Sequence, residues 1–171
     1  MDPIRIGHIS NADVYMDNNR LIGRIKEFEV AEISHKMVSH EALGMIGVLE
    51  LPSRALEALT AKITYDFVDH EVERLVLNPT VTRRWQLHSY VDVWNADGLN
   101  RDQSHKLITS LGILPAKSGT LGHTLGEMVN RETEVRVVSM VSKVTVNETP
   151  ILEYDGFAQI YRVNGQNVWP D

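Results

Sequence analysis

The 171-residue chain contains no cysteine. A disulfide framework is therefore excluded, and so is any zinc site held by thiolates. Positive charge is also scarce: 17 Lys and Arg stand against 23 Asp and Glu, a formal net charge of −6. A protein that grips DNA through its phosphates needs a basic stripe, and no stretch here supplies one. No apolar run approaches the roughly 20 residues of a membrane span. The opening "MDPIRIGHIS" lacks the apolar stretch of a secretory leader. The protein is expected to be made and kept in a cytoplasm, or released by lysis.

Signatures of catalysis are missing as well. There is no G-x-S-x-G, no Walker loop and no G-x-G-x-x-G. His35 and His40 stand five apart, which misses the i, i+4 spacing that puts two imidazoles on one helical face. "WNADGLNRDQS" has Asn95, Asp97 and Gly98 placed as in a calcium loop, but Val93 and Ser104 fall where the first oxygen ligand and the bidentate glutamate belong. Asp97-Gly98 is read as a turn. Asn147 opens a glycosylation triplet that has no meaning without secretion. No catalytic, cofactor or metal residue is assigned, and no enzyme is expected.

What the chain does have is alternation. In "LTAKITYDF", Leu59, Ala61, Ile63, Tyr65 and Phe67 interleave with polar residues, the signal of a strand with one buried face. "WQLHSYVDVW" repeats it, and "GFAQIYRV" is a further strand. "TEVRVVSMVSKVTV" is apolar on both sides of Val137 and Val138, as a central strand or one that a bulge flips in mid-course. "DVYMDNNRLIGRIKEFEV" reads as strand, turn, strand. One helix is expected over "DHEVERLVL", capped by Asp69, stopped by Pro79, with Val72, Leu75 and Val76 on one face. "RDQSHKLITSLGIL" fits a strand or a short helix. Two segments lack a clean period: residues 31–44, and "LPAKSGTLGHTLGEM" with its repeated Thr-Leu-Gly. The expected architecture is a single mainly-β domain over residues 1–171: a β-barrel or sandwich with one short flanking helix and a long projecting loop.

The order of features carries a resemblance. Asn11, Val14 and Tyr15 are followed by Leu21 and Gly23, then Lys36 and Met37, then Gly44, Met45, Gly47, Leu51 and Pro52. Over roughly the first 67 residues this string resembles the major tail tube protein of contractile-tailed bacteriophages, an architecture shared with the haemolysin-coregulated protein of type VI secretion. The resemblance implies hexameric rings stacked into a hollow tube inside a contractile sheath. It implies a tape-measure protein within, baseplate and tail-terminator proteins at the ends, and genome DNA passing through unbound. The place implied is the virion tail, assembled in the host cytoplasm. A like-charged wall would let DNA, with one charge per about 1.7 Å of axis, slide without sticking.

In that setting the irregular stretch becomes a segment that bridges copies. Its candidate contact residues are Ile33, His35, Lys36, Met37, Val38, His40, Glu41, Leu43, Gly44, Met45 and Gly47. The methionines offer pliable apolar contact, the glycines close approach or a positive φ. The segment is expected to be mobile in a free subunit and ordered in a polymer. Two alternatives stay open: a monomeric β-barrel that binds a small ligand or carbohydrate at its mouth, and a β-fold enzyme with a histidine-held metal.

Overall fold

The structure, a computed structural model, describes residues 4–21, 24–30, 32–67, 69–119, 125–126, 131–144 and 148–170. Ala31, Gly23, Asn147 and most of the repeated Thr-Leu-Gly lie outside the described residues.

Two turns of opposite chemistry show how the sheet is built. β1 (Ile6–Met16) returns as β2 (Asn19–Arg20) through Asp17-Asn18, both at positive φ (45° and 72°). That is the hairpin geometry whose twist matches its strands, and Asp and Asn tolerate it. β7 (Arg83–Asn95) returns as β8 (Gly98–Ser118), with the Asn95 side chain accepting from the Asp97 amide at 3.0 Å and Gly98 at φ 115°. "RDQSHKLITSLGIL" is therefore strand, and so is "LPAKS", which was expected to be irregular.

The pairings run round a common core. β1 pairs with β7, β7 with β8, and β8 with β9 (Arg131–Lys143). β9 pairs with β6 (Leu59–Tyr65), and β6 with β3 (Ile25–Glu29). Among the described pairings, β3 is joined to β2, at the far side of β1, by the chain itself. All of these pairs are antiparallel. The alternating face of β6 turns inward, with Leu59, Ala61, Ile63 and Tyr65 buried. Met16, Trp85, Leu111, Ile113, Val135 and Val137 meet them. Phe28 tilts against Trp85 at 5.7 Å between centroids. The interior is filled by side chains: the space among Ile63, Val76, Trp85 and Ile113 is about 10 Å³, barely one water. That space is too small for a ligand.

β9 flips in mid-course. Val135 and Val137 are buried, then Met140, so the inward parity changes between 137 and 140. The register explains it: Ile113 faces Val137 and Gly112 faces Ser139, leaving Val138 as the bulged residue. Past the bulge, the edge that β6 occupied is taken by β10 (Leu152–Asp155), which leads a wing of β11 (Ile160–Val163) and β12 (Gln166–Asn167).

The helix α1 (His70–Val76) falls where expected. Asp69 caps it, accepting from the Glu71 amide at 3.1 Å. Val72 and Val76 enter the core, and Leu75 packs against it. Arg131, whose side chain is 4% exposed, reaches Glu73 at 2.6 Å and ties the helix to β9. Burial pushes the Tyr65 phenol beside it far above its ordinary pKa, an effect that the Arg131 charge partly offsets. A seven-residue helix depends on its cap. Asp69→Ala is expected to lower stability by about 1 kcal/mol. For a chain of this size that is about 2–4 °C in thermal midpoint. Calorimetry checks it.

Candidate functional site

The feature set apart from the barrel is a second, two-stranded sheet: β4 (His35–His40) paired with β5 (Leu49–Leu56). The projection expected from sequence is there, but it is a β-hairpin rather than an irregular loop. The reason it had no legible period is exposure. Every residue of β4 except His35 is exposed, and in β5 only Ser53 and Leu56 are half-buried. With neither face buried, nothing enforces alternation.

Register sorts the candidate residues. Val38 stands opposite Leu51, and His40 opposite Leu49, so Val38, Leu49 and Leu51 share one face. Met37 stands opposite Pro52, and Ser39 opposite Glu50, on the other. Lys36 lies at a register shift between His35 and Met37. Glu41, Leu43, Gly44, Met45 and Gly47 form the connection, where Gly44 takes φ 89° and the Met45 amide donates to Ala42 at 3.1 Å. Leu43 and Ile46 at its tip are fully exposed. Ile33 packs partly against the core and so belongs to the base. Ile46, Val48, Leu49 and Leu51 are contact candidates that the sequence reading missed, although the "VLEL" alternation was there to find.

The two histidines do not converge. Five extended residues separate them by about 16 Å. His40 faces Leu49 towards the tip. His35 turns inward at the base, edge-on to Tyr161 of β11 (5.7 Å) and to Trp169 (6.2 Å). Between hairpin base and wing lies a cleft of about 630 Å³, lined by Arg54, Leu56, Tyr161, Arg162 and Trp169 among others.

A second unpartnered region is the far half of β1. Among the described residues no strand pairs with its outer edge from Ile6 to Asp13. Ile6 stands opposite Trp94, and Trp94 opposite Leu99, a row of three exposed apolar side chains on one face. Glu27, Glu29, Glu132 and Glu134 of β3 and β9 stand with Lys62 and Arg136 on the outer side of the barrel, where Lys62 pairs with Glu132 (3.7 Å) and Arg136 with Glu134 (2.9 Å).

Open edges and exposed apolar faces are the anatomy of a subunit, and comparison with known proteins decides which. The family model described as phage tail tube protein FII matches residues 7–171. The chain belongs to that family. The phage tail tube FII family is one of structural tail proteins, and the match extends the likeness seen in roughly the first 67 residues to nearly the whole chain. Solved structures show the same fold at low identity. A chain of an extracellular contractile injection system, the PVC sheath–tube complex in its extended state, has TM-score 0.51 at 10% identity, covering 78% of this chain and 88% of that one. The PVC sheath/tube terminator gives 0.55 at 8%, covering 84% and 98%. The tube-terminating cap of the anti-feeding prophage gives 0.51 at 10%, covering 78% and 88%. No curated protein matches the sequence. Among the described residues no helix is long and apolar enough to cross a membrane.

Proposed function

We propose that copies of this chain close into rings of six, that the rings stack into the hollow inner tube of a contractile tail, and that genome DNA leaves through it. The observation that carries this reading is the β4–β5 hairpin, whose apolar side chains Met37, Val38, Leu43, Ile46, Leu49 and Leu51 are exposed among the described residues. Exposed contiguous apolar surface of this kind marks an interaction site. Side-by-side closure uses open strand edges such as that of β1, since a ring is a heterologous contact that closes. Stacking uses the hairpin, with Ile33, His35, Lys36, Met37, Val38, His40, Glu41, Leu43, Gly44, Met45 and Gly47 as its contact segment. The segment orders fully only in the polymer, because a lone two-stranded hairpin is marginal in water. The sheath covers the tube, the tape-measure protein lies within, and baseplate and terminator proteins bound its ends. Assembly takes place in the host cytoplasm, and the chain does no catalysis. An acidic subunit keeps DNA from adhering to the bore.

The test is direct. Purified protein viewed in negative stain is expected to show rings or tubes. Size-exclusion chromatography is expected to show species far above 19.3 kDa that grow with concentration. A compact monomer at high concentration with no polymer on the grid overturns the reading.

A further inference from the structure

The hairpin touches the rest of the subunit at very few places, and this makes its direction a problem that the fold has to solve. Among the described residues, β4 is half-buried only at His35, and β5 only at Ser53 and Leu56. The Glu57 amide closes the base by donating to Ser34 at 2.8 Å. Beyond this the ribbon is a free arm of about 20 Å, at about 3.3 Å per residue. A tilt of about 10° at its base moves the tip by about 3.5 Å, well past what a packed interface tolerates.

What resists such a tilt is aromatic. The His35 ring lies edge-on to both Tyr161 and Trp169, with interplanar angles of 63° and 84°. These are favourable edge-to-face arrangements. The two partners are themselves fixed. Tyr161 stands opposite Tyr154 in the β10–β11 ladder, and Tyr154 packs on the core. Trp169 follows Val168, whose amide donates to the Tyr161 carbonyl at 3.2 Å. The His35 Nδ1 and Trp169 Nε1 atoms are both shut away from solvent. On the opposite strand, Leu56 pairs in register with His35 and packs against the core.

We propose that His35, Tyr161 and Trp169 form a clamp that sets the direction of the β4–β5 hairpin and so the geometry of the contact between copies. This rests on the reading of the hairpin as a contact between copies. Trp169 is then a positioning residue: it acts on assembly through His35, from a segment remote in sequence from the hairpin. It need touch no other copy to matter.

The test compares wild type, Trp169→Ala, Trp169→Phe, His35→Ala and the double variant Trp169→Ala/His35→Ala. Hydrogen exchange is followed in free subunits and assembly by light scattering. Trp169→Ala is expected to speed exchange at the amides of residues 37–40 and 49–52 by about tenfold or more, with β6 and β9 unchanged. The concentration needed for assembly is expected to rise by a similar factor. Trp169→Phe keeps an aromatic edge and is expected to restore most of both. His35→Ala is expected to reproduce the effect, and the double variant to add nothing to it. Unchanged hairpin exchange in Trp169→Ala overturns the clamp, and so do additive effects in the double variant. If Trp169→Ala loses protection throughout, His35→Ala, on the hairpin side, decides in its place. If wild type builds no polymer, the tube reading fails while the exchange comparison still decides the clamp.

Discussion

A Glu73→Ala subunit is expected to lose about 3–5 kcal/mol of stability. At about 2–4 °C per kcal/mol for a chain of this size, its thermal midpoint falls by about 6–20 °C. The cause is what the substitution leaves behind. The Arg131 side chain is 4% exposed and donates to Glu73 at 2.6 Å. Among the described residues no other carboxylate lies within ion-pair distance of it. Removing Glu73 leaves a guanidinium opposite Tyr65 on the neighbouring strand, which offers a hydroxyl but no charge. Glu73→Gln keeps a hydrogen-bond acceptor and is expected to lose less. The double variant Glu73→Leu/Arg131→Met removes both charges and is expected to recover most of the loss, because a buried pair stabilises little over a well-packed apolar one. Chemical denaturation of all three measures this. A Glu73→Ala loss below about 1 kcal/mol would show that water reaches Arg131 freely.

The joint substitution Leu43→Asp and Ile46→Asp is expected to leave the subunit folded and to abolish assembly. Both side chains are fully exposed, so the cost to the free subunit stays within about 0.5 kcal/mol. Each would contribute about 1.5–3 kcal/mol if buried against a neighbour. Losing both is about 3–6 kcal/mol per contact, a fall of about 100-fold or more in association. Sedimentation of wild type and variant at matched concentrations, with circular dichroism as the folding control, checks it. Normal tubes from the variant would place the contact between copies elsewhere on the chain.

How much of this was legible depended on burial. β6 could be read because one of its faces is buried, which forces the alternation of Leu59, Ala61, Ile63 and Tyr65. The helix could be read because Asp69 and Pro79 bracket it. β9 could be read only as an ambiguity, since the inward parity changes at Val138 and the pattern before it contradicts the pattern after. β4 was not legible as a strand: its order comes from main-chain pairing with β5, which leaves no mark on the side-chain pattern. The candidate contact residues were half visible, as methionines and glycines in a matching string, while Ile46, Val48 and Leu49 carried no such mark. The clamp was not visible at all. Nothing in the sequence near His35 points to Trp169, and only the return of the β10–β12 wing brings them together.

That wing hangs on the rest of the fold by a narrow seam. β9 is shared between two structures along one edge: residues 131–137 are zipped to β6, and only residues 139–142 to β10. A pull on the hairpin divides: part goes through Leu56 and the chain into β6, and part through His35 into the wing and across the rungs Leu152–Asp155. The body behind this seam is held more extensively: β9 pairs with β6 along residues 131–137 and with β8 along residues 133–143. With four rungs to β9 against the seven that hold β6, the wing is expected to peel before the barrel's edge does. The fold therefore contains a joint that yields before its wall does.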